Sequence, residues 1–549
     1  MRNTSLPVTR SLAFCLTLIL ISLAKGVGAQ TSSPPKLTAA QWQADVRFLG
    51  DELPKRHRNA YHRMKREDFE TAVNNLYDAV PKMSDDEILV GLMKLVAMVK
   101  DGHTQTNPWP TLTSGVYPIS LYWFSDGMYI QKAAPAYAEM VGARVLRIGK
   151  VSIDEATTAI APVVPADNEM GVRQFGPMML SVPEILSGLK IINDKKQLDI
   201  LVSKDGKEQS FTIKPEGTVV NIVNPPADWL DAADKKNVPP YLTHQGDWFW
   251  FEYLKDKRIV YVKQDAVENK PDTTLADFYK RVFGFVDANS VDKLVIDLRN
   301  NGGGNNTLNT PIIINMIRSK VNKRGHLFVI TGRQTFSAAQ NFVNQIEKWT
   351  EAIFVGEPTA DHVNMYGDNR PFTLPNSGLM VVASTLWWQD LDPRDERKWT
   401  APEIAVDISS DDYRSGRDPV LQAIADYKPG STISELIQSA LSAATMSDFV
   451  QRYRAIKADA RSRYVDSEAP VNRLGYDLLA KKRVADAIDV FKLNTEFYPR
   501  SANVYDSLGD AFAAAGRNDE AIKSYEKALS IDPNYQSSID SIKKLKKTN

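Results

Sequence analysis

The chain has 549 residues, of which 43% are hydrophobic and 24% charged, a globular composition long enough for several cores. Lysine plus arginine equals aspartate plus glutamate at 67 each, so no charge excess points to nucleic acid or an anionic membrane. The single cysteine, Cys15, lies in an N-terminal apolar run, which leaves no cysteine nucleophile, disulfide or cysteine metal site for the rest of the chain.

Arg2 and Arg10 precede the apolar run Ser11–Ala24, and small Val27 and Ala29 offer a cleavage point before Gln30. Residues 1–29 read as a secretory signal, so a secreted or periplasmic protein is expected. The run is shorter than the ~20 residues of a spanning helix, and no later segment replaces it, so no stable membrane insertion is expected.

From 36 to 105 the pattern is helical. "TAAQ" at Thr38 and "SDDE" at Ser84 are capping boxes, each opening an amphipathic stretch. "VKDGHT" then places Gly102 as the residue that ends the second helix and His103 just beyond it. Between 112 and 218 short β-rich runs predominate, "GMYIQKA", "ARVLRI" and a hairpin turning at Asp205-Gly206, which predict a small β domain.

From 219 to 430, "RIVYVK", "KLVIDLR", "HLFVIT" and "AIFVGE" are apolar strands separated by helical patterns such as "AAQNFVNQIEKW". That alternation predicts βαβ units and a substantially parallel sheet. Residues 431–468 read as a helical connector. In 469–549, Leu474-Gly475 with Leu478, Ala487, Phe491 and Pro499 recur 34 residues later as Leu508-Gly509 with Phe512, Ala521, Tyr525 and Pro533. This period and order resemble the tetratricopeptide repeat, a helical module suited to docking a protein partner.

Three stretches carry candidate chemistry. In "TGRQTFSAAQN", Ser337 stands between a strand and a helix; with Gln340 it forms an S-x-x-Q capping box, and it is also a candidate nucleophile. "KLVIDLRNNGGGNN" ends in Gly302–Gly304, a turn that lets backbone N–H groups approach an oxyanion or a phosphate. Thr307 breaks a dinucleotide fingerprint and no Gly-Lys-Ser/Thr follows, so both phosphate motifs fail. Of the six histidines, His57 and His62 are flanked by arginine and lysine as surface residues are, His244 falls in a β region, His326 starts a strand, and His103 and His362 remain near the other motifs.

In order, "DGHT", "VIDLRNNGGG", "GRQTFSAAQNF", "VGEPT" and "WTAPEIAV" resemble the S41 serine peptidases, the tail-specific and C-terminal-processing proteases with their tricorn-core relatives, over about Leu37–Ile424. The resemblance implies a multidomain α/β protein. It would have a crotonase/ClpP-like catalytic domain, an N-terminal helical region and a PDZ-like β domain, with the repeats added behind. It implies Ser337 as nucleophile, an oxyanion hole from Ala338 and Gly303 or Gly304, and a peptide or unfolded protein as substrate, with no cofactor and no metal.

Processing members carry their basic lysine in G-x-x-T-x-G-K, and "GEPTADH" puts His362 in that place, as an alternative base or a cleft residue. The tricorn-like branch takes a histidine from the N-terminal region, which corresponds to His103, and a carboxylate ahead of the "PE" segment, which corresponds to Glu396. No Gly-Leu-Gly-Phe loop marks the β domain as a binder of C-termini. The alternative on the same fold is a non-catalytic protein that holds a peptide or apolar ligand.

Overall fold

Thr38 and Ser84 both build the capping boxes read from the sequence. Helix Ala39–Arg56 opens with the Gln41 N–H on Thr38 Oγ1, and helix Asp85–Ala97 with the Glu87 N–H on Ser84 Oγ, each with the reciprocal bond back to the cap. In the first helix Trp42, Val46, Leu49 and Leu53 form one buried stripe. The computed structural model describes residues 36–548 apart from 109, 110, 114 and 443–445; the signal segment lies outside them. No helix among the described residues is long and apolar enough to cross a membrane.

The chain forms two units, one running to Thr400 with Val406–Ala425, the other comprising Ala401–Ala405 and the residues from Asp426 onward. In the first unit, the N-terminal helices share an apolar core with an antiparallel sheet of Ile119–Phe124, Gly127–Ala133, Arg144–Ile148, Leu198–Lys204 and Lys207–Ile213. The hairpin turns at Asp205 and Gly206, both with positive φ, as Asp-Gly at a two-residue loop requires. This region is not all β. Three helices, Ile153–Ile160, Glu169–Met179 and Pro183–Gly188, lie between its strands, the first started by a Ser152/Glu155 capping box and the second capped by Asn168.

The second core of this unit is the βα sheet. Ile259–Gln264, Lys293–Asp297, Leu327–Thr331 and Ile353–Gly356 pair in parallel in that order, and Phe249–Leu254 adds an antiparallel edge. Helices Leu275–Ala288, Asn309–Arg318 and Ala338–Trp349 connect the strands. The carboxyl ends of three strands therefore deliver the glycine turn, Ser337 and the 357–361 loop to one side, where open α/β sheets hold ligands. A third sheet of Gln105–Asn107, Met380–Gln389 and Asn364–Thr373 ties the His103 loop down: Asn369 donates to the His103 carbonyl at 3.1 Å, and the Ser384 N–H to Thr104 Oγ1 at 3.1 Å.

The second unit is helical. Ile433–Ala440 and Ser447–Ala458, expected as a connector, share one apolar core with the repeat helices Glu468–Ala480, Val484–Phe497, Ala502–Ala514 and Asn518–Ile531. The repeated glycines explain themselves by packing, since a Cβ on Gly509 would lie 2.5 Å from the Tyr525 ring and one on Gly475 would overlap Phe491. Gly509→Ala should therefore destabilise this unit by about 1–3 kcal/mol, the usual cost of overpacking. Urea unfolding with an unshifted midpoint would show instead that Tyr525 swings aside freely.

Candidate active site

The turn after strand Leu327–Thr331 is held from three sides. Thr335 Oγ1 donates to Leu298 O at 2.8 Å and accepts the Gly332 N–H at 3.0 Å, while the Phe336 N–H reaches Asn301 O at 3.1 Å. Ser337 follows at φ 58°, ψ −127°, a conformation that costs a non-glycine residue about 1–3 kcal/mol and persists only where its surroundings impose it. The expected capping box is absent for that reason. Ser337 makes no side-chain cap bond, and Gln340 Nε2 goes instead to Asn344 at 2.8 Å and Thr400 at 2.9 Å. The Ser337 N–H donates to the Asp361 carboxylate, and its hydroxyl has no partner among the described residues.

Gly303 is pressed against this serine. It has φ 105°, and a Cβ there would lie 2.6 Å from Ser337 Cβ and 2.9 Å from Ala338 N. Its own N–H is taken by Asn301 Oδ1 at 2.9 Å, so of the expected oxyanion donors this one is already engaged. Gly304, φ 137°, has no room for a side chain, since a Cβ there would lie 2.5 Å from Val267 O. Ala338 opens helix Ala338–Trp349, whose first N–H groups carry the positive end of the helix dipole.

His103 does not follow a helix end directly. The helix stops at Ala97, the left-handed residue behind it is Lys100 at φ 58°, and Gly102 is small for a different reason: a Cβ there would meet Asp167 Oδ2 at 2.8 Å and Phe336 at 2.9 Å. The His103 ring is buried and stacks on Phe336, the residue before Ser337, at 4.2 Å between centroids. Its Nδ1 lies 3.9 Å from Asp361 Oδ1 and 4.0 Å from Asp101 Oδ1. Asp361 thus touches both the Ser337 main chain and the His103 ring, and it joins the two across the site.

Two carboxyl groups approach this histidine, and a third, Asp167, binds the N–H of its neighbour Gly102. Asp101 accepts from His57 Nε2 at 2.9 Å, from Thr104 Oγ1 at 2.6 Å and from the His103 N–H at 2.9 Å. Burial opposes its charge, but the His57 bond, the His103 imidazole and Thr104 hold it below the usual carboxylate range. Burial and the charge of Asp167 push Asp361 far up, against the bond from Ser337 N–H. Asp167 itself is raised, to about 8, by burial and by Asp101, although it accepts the Gly102 N–H at 2.6 Å. Burial lowers the His103 imidazole, with Asp101 and Asp368 opposing the shift, so the ring is neutral near pH 7.

Asp167 therefore keeps a proton that the unfolded chain releases near pH ~4, the ordinary carboxylate value. The folded state binds more protons between pH ~4 and about 8, so this group's contribution to stability falls as pH rises through that window. Asp167→Asn, which retains an acceptor oxygen, should raise the melting temperature more at pH 8 than at pH 5. Equal shifts at the two pH values would show that Asp167 titrates normally.

His57, read as a surface residue, is buried: its Nδ1 accepts the Asn59 N–H at 2.9 Å, which fixes the proton on the Nε2 facing Asp101. His362 is likewise buried, its Nδ1 accepting from Arg63 at 3.3 Å and lying 3.2 Å from Arg397 O; burial, then the Arg63 charge, bring it down to about 4. Glu396 lies in an exposed loop and forms no hydrogen bond or ion pair with Ser337 or His103. The carboxylates that do approach the histidine, Asp101 and Asp361, sit in the same two quoted motifs, beside His103 and His362, and the sequence reading passed over them.

The fold is shared with the solved structures of CPAF. Mature CPAF, solved in complex with lactacystin, superposes with a TM-score of 0.52 at 12% identity, covering 70% of this chain and 98% of that one. A serine-to-alanine mutant of CPAF gives 0.50 at 11% identity over 71% and 98%. The photosystem II D1 C-terminal processing protease matches at 14% identity over 70% and 99%, with a TM-score of 0.31. In the second unit, the TPR repeat family matches residues 509–537. No curated protein sequence matches the chain.

Proposed function

We propose that the first unit is a serine-type peptidase in which Ser337 attacks a peptide carbonyl and His103 takes its proton. The observation that carries this reading is the strained serine, φ 58°, at a helix start, joined to a buried neutral histidine through Asp361. Because His103 Nδ1 faces the carboxylates, Nε2 is the nitrogen left to accept the Ser337 proton. As the Oγ–C bond forms, charge moves onto the carbonyl oxygen, where the Ala338 N–H, with Gly304 from the glycine turn, supplies donors. Asp101, charged and 4.0 Å from Nδ1, steadies the imidazolium. His103 then returns the proton to the leaving amine as the C–N bond breaks, and water hydrolyses the acyl-enzyme by the same route in reverse. In this reading Asp101 takes the carboxylate role expected of Glu396, Asp361, kept protonated by burial, positions the serine and the histidine, and His362 lines the cleft.

The remaining assignments belong to the same reading. The signal segment sends the protein across a membrane, peptides or unfolded chains are its substrates, and the TPR unit docks a protein partner. A fluorophosphonate probe should label Ser337 alone, and Ser337→Ala should abolish the label. A folded protein that takes no label, or takes it at another serine, sinks the assignment and leaves a ligand-holding protein on this fold.

A further inference from the structure

Beside the nucleophile lies a cavity of about 430 Å³, lined by Gly302 and Phe336, the neighbours of Gly303 and Ser337, and by Tyr122, Phe124 and Arg173. Most charged groups on its wall already have partners. Arg299 pairs with Asp297 and Asp418, Arg333 grips Glu357 with two donors, Lys132 meets Asp231 at 3.0 Å, and Asp265 is bound by Lys263. Arg173 differs: among the described residues it makes no ion pair, its guanidinium lies 5.7 Å from the Trp123 ring centroid, and its charge reaches Glu357 and Tyr122 without a bond to either.

A second donor stands open in the same wall. Tyr241 is 7% exposed, its hydroxyl is buried without a partner, and the Arg299 guanidinium covers its ring at 4.5 Å. Burial keeps that phenol protonated. The buried hydroxyl leaves about the cost of one unmade hydrogen bond to be recovered by a ligand, and the half-buried guanidinium offers a charged donor in the same cavity. Glu357 does not meet this need, because Arg333 already occupies both of its oxygens.

We infer that this cavity is a substrate subsite for a carboxylate, held by Arg173 and Tyr241, supplied by an acidic side chain or by the C-terminus of the bound peptide. The aromatic walls take the methylene stem or neighbouring apolar residue, and the volume falls in the range of small-molecule sites. The inference rests on the peptidase reading for its ligand class, and binding is therefore measured without turnover.

The probes are acetyl-Ala-Ala-Glu-Ala-Ala-amide, its glutamine counterpart, and pentaalanine as free acid and as amide, titrated into the Ser337→Ala protein. One carboxylate peptide should bind about tenfold tighter than its neutral counterpart, a difference of about 1.4 kcal/mol; which of the two does so names the source. Adding Arg173→Gln should erase that preference, Arg173→Lys should restore part of it, and Tyr241→Phe should reduce it. No preference in either pair, or a preference that survives Arg173→Gln, overturns the inference. Fluorophosphonate labelling of the protein with its native serine reports separately on the nucleophile, so a failed subsite and a failed peptidase reading give different results.

Discussion

His103→Ala should lower kcat by about 10²–10⁴-fold, the usual worth of a general base, whereas His362→Ala should act mainly on KM. The two histidines occupy different chemical settings. His103 stacks on the residue before Ser337 and shares Asp361 with it, while the His362 ring is held between Arg63 and the Arg397 carbonyl. Burial, and then the Arg63 charge, make His362 a poor proton acceptor, with its value down to about 4. For His103 the downward shift also sets a pH signature: kcat/KM should be flat near neutrality and fall only as pH drops below the ordinary histidine value of ~6.5. An inactive His362→Ala beside a nearly normal His103→Ala would move the base role to His362.

Gly303→Ala should disable the serine beside it. The added methyl would lie 2.6 Å from Ser337 Cβ, on a backbone at φ 105° that resists any side chain, so the serine or the turn must move. A nucleophile displaced by ~1 Å typically loses about 10²-fold in rate. The labelling rate with a fluorophosphonate should therefore fall by about that factor or more, with a lowered melting temperature. Wild-type labelling and an unchanged melt would show that the turn yields without cost. Gly302→Ala is the control, because a Cβ at Gly302 meets nothing within 4 Å.

The sequence is legible wherever the signal is local. Capping boxes at Thr38 and Ser84, the Asp205-Gly206 hairpin, the apolar parallel strands and the 34-residue repeat all depend on neighbours along the chain, and the structure contains each of them. Ser337 with Gln340 has the same local pattern, yet no cap forms. Its backbone is set by Asn301, Gly303 and Asp361, which the chain brings in from distant segments. His57 is misread for a similar reason: its arginine and lysine flanks suggest solvent, but one bond to Asp101 buries the ring. Asp361 gains its character from burial beside Asp167, and Asp167 from burial near Asp101, proximities that no spacing within "GEPTADH" or "PADNE" reveals.

The strand Gln105–Asn107 bears a further consequence. It docks the loop holding His57's partner Asp101, together with His103, onto a hairpin near the far end of the first unit's chain, while Ser337 rides on the central sheet. Such long-range closure is entropically costly and comes late in folding. On the peptidase reading, a chain in which this pairing has not yet formed holds Ser337 without His103 beside it, so completion of tertiary structure would itself be the activation step.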